Sequence, residues 1–371
     1  MSVHTHIRDV TQKISALETI ETSSASGSDY REMVIQLIRS VVPFEAACCT
    51  TVDPRTLLST GAVTEHSVEK IHHLLFENEY QHEDFNKYTS LIQADDPTAT
   101  LSGATNGQLK QSSRYRDILS PAGFGDEMRA ALVSDGACWG YLTLFRAQNQ
   151  PVFGEAERSC VSSLVPAISQ MLRKRSLKLT THESEQVHMD AGILILSNSL
   201  TSLSSDAAAD YWLSLLRKWE RIDSTTLPRP VRAVCARAQS NHTPYPDQAY
   251  PSKVCFYTPD GQFLVIRASR LSGPSDSMLL AVCFETAKPL DIMPFMAEAH
   301  GLSLREKQIL ESVLRGFSTK EIASSLHISA YTVQDHMKSI FTKTGMTSRR
   351  ELIWSLFSRF SLPNEHVPNI D

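Results

Sequence analysis

Apolar positions in the C-terminal part of the chain recur at helical spacing and are cut into four runs by start and stop signals. Ser303 with Glu306, Ser318 with Glu321 and Ser348 with Glu351 each form an S-x-x-E pair, in which hydroxyl and carboxylate satisfy orphan amides at a helix start. Ser329 can cap a further helix alone. Gly316 and Gly345 stand where the first and third runs end, as residues that tolerate the left-handed conformation. The pattern predicts helices near 304–315, 319–326, 330–344 and 349–359. His327, Ile328 and Ser329 separate the second from the third, which is the spacing of a helix-turn-helix. On the third helix Val333, Met337, Ile340 and Phe341 share one side, matched to Leu310, Val313, Leu314, Ile322 and Leu326. At about 100° per residue, Tyr331, Asp335, Lys338 and Thr342 lie opposite, with Gln334 at the margin.

Upstream the pattern changes to short alternating runs. Tyr30–Val41 reads as a helix and Ala46–Val52 as a strand, and Glu127–Val133 and Cys138–Arg146 as strands flanking the turn Ser134-Asp135-Gly136. A long helix opens at Phe153-Gly154-Glu155, with Ala156, Cys160, Leu164, Ile168 and Leu172 on its apolar face. A second rhythm follows: strand 193–196, helices 207–219 and 230–238, then strands 253–257, 262–269 and 278–284, the first hairpin turning at Pro259-Asp260-Gly261. The segments 22–28 and 176–189 are polar breaks. The predicted class is α+β: an N-terminal helix and linker (1–28), a first antiparallel-sheet domain (29–175), a linker (176–189), a second sheet domain (190–290) and an all-α four-helix domain (300–362). Asp291–His300 is expected to be a short connector.

Composition adds three constraints. The 371 residues, 42% hydrophobic, suffice for three domains of ordinary size. Residues 301–360 carry nine Lys and Arg against five Asp and Glu, whereas the whole chain is at −5, so a basic tail hangs on an acidic body. No apolar run approaches the length of a membrane span, and the N-terminus lacks a signal-peptide core. The seven cysteines are scattered without a C-x-x-C pair, which fits a reducing cytoplasm and buried strand thiols better than a redox pair at Cys48-Cys49.

The segment 302–356 resembles the LuxR-type helix-turn-helix domain of bacterial transcription regulators. The matching residues are Leu304-Arg305-Glu306, Gly316, Ser318, Lys320-Glu321-Ile322-Ala323, Ile328-Ser329, Thr332-Val333, His336, Lys343, Gly345 and Ser348-Arg349. The resemblance implies base-edge contacts from Gln334, Asp335 and Lys338, and phosphate contacts from Lys320, Thr332, Lys343 and Arg349. It also implies a homodimer formed through the fourth helix, with Leu352, Leu356 and Phe360 as contacts, on a two-fold operator. Gln334 and Asp335 depart from the family, which often has Lys and seldom an acid there. Gln can read adenine and a carboxylate can accept from cytosine N4, so an unusual operator is expected.

The helix–strand–hairpin–helix order of 29–175, with Gly123-Phe124-Gly125-Asp126-Glu127-Met128-Arg129 and Cys138-Trp139-Gly140-Tyr141-Leu142, resembles a GAF-type sensor domain. That resemblance places a ligand loop within 60–120, and Trp139 and Tyr141 either line its pocket or pack as ordinary strand residues. The order of 190–290 resembles a PAS-type domain. His72-His73 and His82-Glu83-Asp84 read as a solvated polar loop rather than a metal or acid–base site, since H-E-x-x-H spacing is absent. There is no P-loop, dinucleotide fingerprint or G-x-S-x-G elbow. Receiver-type acidic positions and the pattern of an acyl-homoserine-lactone sensor are likewise not evident. The expectation is a cytoplasmic regulator without catalysis, cofactor or metal. Its partners would be double-stranded DNA, a second copy, RNA polymerase and a small-molecule ligand; the alternative is control by protein partners in place of the ligand.

Overall fold

The computed structural model describes residues 3–17, 29–177, 190–240, 252–258, 263–272 and 278–358. The expected linker at 22–28 and the turn at 259–261 lie outside them. Of the expected break at 176–189, Ser176 and Leu177 still belong to the preceding helix, and 178–189 lie outside.

Among the described residues, the strands form two five-stranded antiparallel sheets. The first unit runs α1 (Val3–Ala16), α2 (Asp29–Arg39), β1 (Ala46–Val52), β2 (Ser59–Thr64), α3 (His66–Glu69), α4 (His72–Gln81), α5 (Tyr88–Leu91), β3 (Thr98–Thr100), α6 (Leu101–Ala104), β4 (Phe124–Ser134), β5 (Ala137–Ala147) and α7 (Glu155–Leu177). The second runs β6 (Gly192–Ser197), β7 (Ser202–Ser205), α8 (Ala207–Glu220), α9 (Arg229–Gln239), β8 (Lys253–Tyr257), β9 (Phe263–Ser272), β10 (Met278–Thr286) and α10 (Pro289–Ala299). The strand orders are β2-β1-β5-β4-β3 and β7-β6-β10-β9-β8, so the two units repeat one topology. Local sequence explains the central hairpin. Asp135 and Gly136 both have positive φ (51° and 78°), the conformation that lets a two-residue turn follow the twist of its strands, and Ser134 pairs with Ala137.

A bulge then decides where two aromatic residues go. Leu132 pairs with Gly140 but Val133 with Cys138, so one residue of β5 is left over at Trp139. Trp139 and Tyr141, two apart in sequence, therefore end on opposite faces of the sheet. Trp139 packs edge-on to Phe295 of α10, with ring centroids 6.0 Å apart. Tyr141 stacks on Tyr88 at 3.7 Å and donates to the Leu57 carbonyl. Arg129 lies over the other ring of that stack, 4.0 Å from the Tyr88 centroid, and pairs with Glu79. Both tyrosines are thus bonded and stacked within the chain, the ordinary packing role.

The region 60–120 is more ordered than a polar loop. His72 sits in α4, 4% exposed, with its ring 4.7 Å from that of Phe76. Burial, reinforced by Arg229, Arg232 and Arg114, drives its pKa well below the usual imidazole range, so the ring is neutral. Asp84 accepts from Ser113 Oγ and the Arg114 amide, each at 2.6 Å, and ties that segment down. The expectation of a solvated loop fails for His72 because α4 is covered by α9 of the second unit, while His73, His82 and Glu83 are exposed and 82–84 follow the helix as a non-helical segment. Helix α9 is buried from Arg229 to Ala236, since the second sheet lies on one side of it and α4 with β2 on the other. Arg229 pairs there with Glu220 (2.8 Å) and with Glu69 of the first unit. Asp53, fully buried, accepts the amide of Cys255 at 2.9 Å, joining the two units again.

The expected connector at 291–300 is helix α10. Pro289 opens it, and Asp291 accepts from the Lys288 amide at its start. The cysteines are buried apart from half-buried Cys283, and burial pushes the Cys49 thiol up to about 12. No described helix is long and apolar enough to cross a membrane.

Candidate nucleic-acid interface

Four helices follow α10: α11 (Leu304–Leu314), α12 (Thr319–Ser325), α13 (Ala330–Thr344) and α14 (Arg349–Ser358). Their ends match the start and stop signals of the sequence. Ser303 accepts the Glu306 amide (3.3 Å) while Glu306 accepts that of Ser303 (2.6 Å). Ser318 and Glu321 repeat the exchange at 3.3 and 2.7 Å. Ser329 caps α13 by accepting from the Thr332 amide at 3.0 Å, and Gly345 ends it at φ 73°. The third capping pair differs. Ser348 does accept the Glu351 amide (3.1 Å), but the Glu351 carboxylate turns to the amide and hydroxyl of Thr347, at 2.7 and 2.5 Å. The Leu326-to-Ser329 turn is tight because His327 adopts a left-handed φ of 52°.

The core under these helices unites Ile309, Leu310, Val313, Ile322, Ala323, Val333, Ile340 and Leu352. With Val333 and Ile340 held inward, the opposite side of α13 is left to solvent. Gln334, Asp335 and Lys338 are all exposed, and Tyr331 is 81% exposed. Lys338 Nζ lies 3.4 Å from Asp335 Oδ1 with both side chains at least three-quarters exposed, so the pair is solvated and weak. These three expected base-edge residues therefore share one open stripe.

The expected phosphate contacts are not equivalent. Lys320 is exposed on α12. Thr332 is half-buried, and its hydroxyl sits 2.9 Å from that of Ser329 as part of the cap. Arg349 donates to the Phe317 carbonyl, fixing the start of α14 to the loop before α12. Lys343 donates to Glu306 Oε2 (2.7 Å) and to the Gly301 carbonyl (3.2 Å), so its ammonium is committed to a bridge inside the tail. Leu352, expected at a dimer contact, is 3% exposed and fills the tail's own core, because the apolar stripe of α14 is first needed to cover α11. The side chains of Leu356 and Phe360 lie outside the described residues.

What the sequence did not reveal is the support beneath α13. Glu306, 3% exposed, accepts from Ser303, from Ser339 Oγ (2.6 Å) and from Lys343. Burial alone would raise its pKa; Lys343, Ser339 and Ser303 overcome this and hold it at about 2. Ser339 and Lys343 lie one helical turn apart, and that spacing was the available signal. The far end of α13 is tied likewise, since His300 Nδ1 donates to the Lys343 carbonyl at 3.1 Å.

Comparison with known proteins places this geometry. Residues 300–356 match the family described as bacterial regulatory proteins, luxR family. The oxygen regulatory protein NreC of Staphylococcus aureus is 44% identical over 52 residues, 14% of this chain and 24% of NreC. The chain thus spans about a quarter of the length of the curated relatives it matches. Among solved structures, Escherichia coli SdiA is 10% identical, with 97% of this chain and 100% of that one covered at a TM-score of 0.33. A Vibrio cholerae VqmA dimer is 18% identical, over 46% of this chain and 82% of that one, at a TM-score of 0.20. The capped four-helix tail, with its open stripe on α13, is a helix-turn-helix domain of the luxR family of bacterial regulatory proteins.

Proposed function

We propose that the full chain is a cytoplasmic transcription regulator that binds a two-fold operator as a homodimer. The observation that carries this is the stripe of Gln334, Asp335 and Lys338, left open on a helix whose other side is locked into the tail's core. In this reading α13 enters the major groove. Lys338 donates to guanine, Gln334 pairs with adenine and Asp335 accepts from cytosine N4. Lys320, exposed at the start of α12, holds a phosphate and sets register. RNA polymerase is the further partner that a regulator of transcription addresses.

The two sheet units serve as GAF-like and PAS-like sensors within the boundaries 29–175 and 190–290. One observation favours control of the first unit by a protein partner over a small ligand. The sheet face under α5 is occupied by the chain's own Tyr88–Tyr141 stack, Arg129 and Glu79. Selection of duplexes from a randomised pool by the full-length protein, followed by footprinting, tests the central reading. A protected site with two inverted halves about one DNA turn apart is expected. Recovery of no preferred duplex would refute DNA reading, and one chain on a single asymmetric half-site would refute the dimer.

A further inference from the structure

The open stripe of α13 contains a residue that neither the fold nor the proposed contacts use. Tyr331 is 81% exposed, the highest exposure among the large apolar and aromatic side chains on the surface of the described residues. It stands at the second position of α13, three residues before Gln334, four before Asp335 and seven before Lys338. Those offsets put all four side chains on one helical face. The three downstream members are polar and suited to donors and acceptors. Tyr331 is the aromatic member of the set.

In the major groove the apolar feature that a base pair displays is the C5-methyl group of thymine. From residue 331 to residue 338 the helix advances about 10 Å at 1.5 Å per residue, the length of about three base-pair steps. Tyr331 therefore reaches a base pair on the far side of the Gln334–Asp335 position from the one that Lys338 reaches. We propose that Tyr331 is a specificity-determining residue whose ring packs on a thymine methyl at that outer step of each half-site. This rests on α13 being the DNA-reading helix. A phosphate contact through its hydroxyl is the competing role, and it would leave the ring in water.

Fluorescence anisotropy of the full-length protein on a duplex selected from a randomised pool tests the assignment. Each thymine of the half-site is replaced in turn by deoxyuridine, which removes the methyl group and keeps every hydrogen-bonding atom. For the unaltered protein, one replacement at the outer step should weaken binding by roughly fivefold, the scale of a buried methyl contact. Y331A should bind the thymine duplex weakly by a similar factor and lose less than about twofold more on deoxyuridine, because the two changes remove the same contact. Y331F should match the unaltered protein in affinity and in methyl dependence. Equal losses on deoxyuridine for Y331A and the unaltered protein overturn the proposal, as does Y331F behaving like Y331A, which would assign the hydroxyl to a phosphate. Failure of the unaltered protein to select any duplex is a separate result and removes the underlying DNA reading as well. The exposed position makes misfolding of these variants easy to exclude, by unchanged far-ultraviolet circular dichroism.

Discussion

Glu306→Gln tests whether the reading helix is held from below. The carboxylate is 3% exposed and bridges the cap of α11 to Ser339 and Lys343 of α13. Its pKa is depressed from 4.5 to about 2. At about 1.4 kcal/mol per pKa unit, that corresponds to roughly 3 kcal/mol of folded-state preference for the charged form near neutral pH. Lys343 is 36% exposed on its side chain and can turn to water when the carboxylate is lost, which trims the expected cost to about 2 kcal/mol. The glutamine is isosteric: its carbonyl can still accept from the Ser303 amide and Lys343 at the Oε2 position, and its amide meets the Ser339 hydroxyl, which can turn to accept, so what is removed is the negative charge beside Lys343. Hydrogen exchange read by mass spectrometry on peptides from 330–344 is the assay, because α13 opens below the global unfolding free energy if its support is cut. Exchange in α13 should accelerate about 30-fold at pH 7, at 1.4 kcal/mol per factor of ten, with the first sheet unchanged. The depressed pKa means the stabilisation is fully present above pH 4.5 and is lost as pH falls toward 2, so the gap between the two proteins should narrow across that window. An acceleration below about threefold at pH 7, or a gap that widens in acid, would refute the bridge.

Three further outcomes follow from the same geometry. Lys320→Ala should weaken binding to all duplexes and reduce the slope of log affinity against log salt by about one; an unchanged slope removes Lys320 from the phosphate contacts. Asp335→Asn should raise affinity for random duplex DNA at low salt, since it removes a charge that repels phosphate, while altering base preference at one position of a selected site; loss of both affinities together would mark Asp335 as structural. Phe295→Ala should lower the midpoint of urea unfolding by an amount equivalent to about 3 kcal/mol, because the ring is 5% exposed between Trp139 and Phe263; a loss under about 1 kcal/mol would mean that the site collapses without a cavity.

The tail was legible because its signals are local. A Ser and a Glu three apart, or a glycine after an apolar run, act within one helical turn, and the structure honours them to within a residue or two. The strands were legible where apolar runs were long, as in β4 and β5, or alternated, as in β10. The short strands β2, β3 and β7 were not, because Ser-rich and Thr-rich stretches carry little alternation and are recruited by their neighbours. The faces of Trp139 and Tyr141 depend on a bulge, which exists only in the pairing of two strands and leaves no mark on one. The burial of His72 and Leu352 was not legible for a related reason. Each is covered by a helix distant in sequence, α9 in one case and the α11 core in the other, and periodicity reports that a face is apolar without naming its cover.

Helix α10 shows what such non-local packing does within the chain. Its Ile292, Phe295 and Ala299 belong to the core that contains Trp139 and Phe263, and its Met293 and Ala297 belong to the core of the tail. The two sets alternate around one helix of 11 residues, so α10 cannot shift against the sheets without disturbing the packing beneath α13. The ends are tied as well. Arg173 of α7 pairs with Asp135 of the central hairpin turn and donates to the Ala299 carbonyl at 2.7 Å. One residue on, His300 donates to the Lys343 carbonyl at the last turn of the reading helix. A displacement of the hairpin is thereby connected to the position of α13 through side chains packed at each step. Close-packed interiors respond to strain by switching between discrete arrangements rather than by yielding gradually. On the proposed reading, a change in the rotamer of Phe295 or loss of the Arg173 bridge is expected to move α13 as a body. A flexible connector would not couple the two cores in this way, whereas α10, with Phe295 buried in one core and Met293 in the other, does.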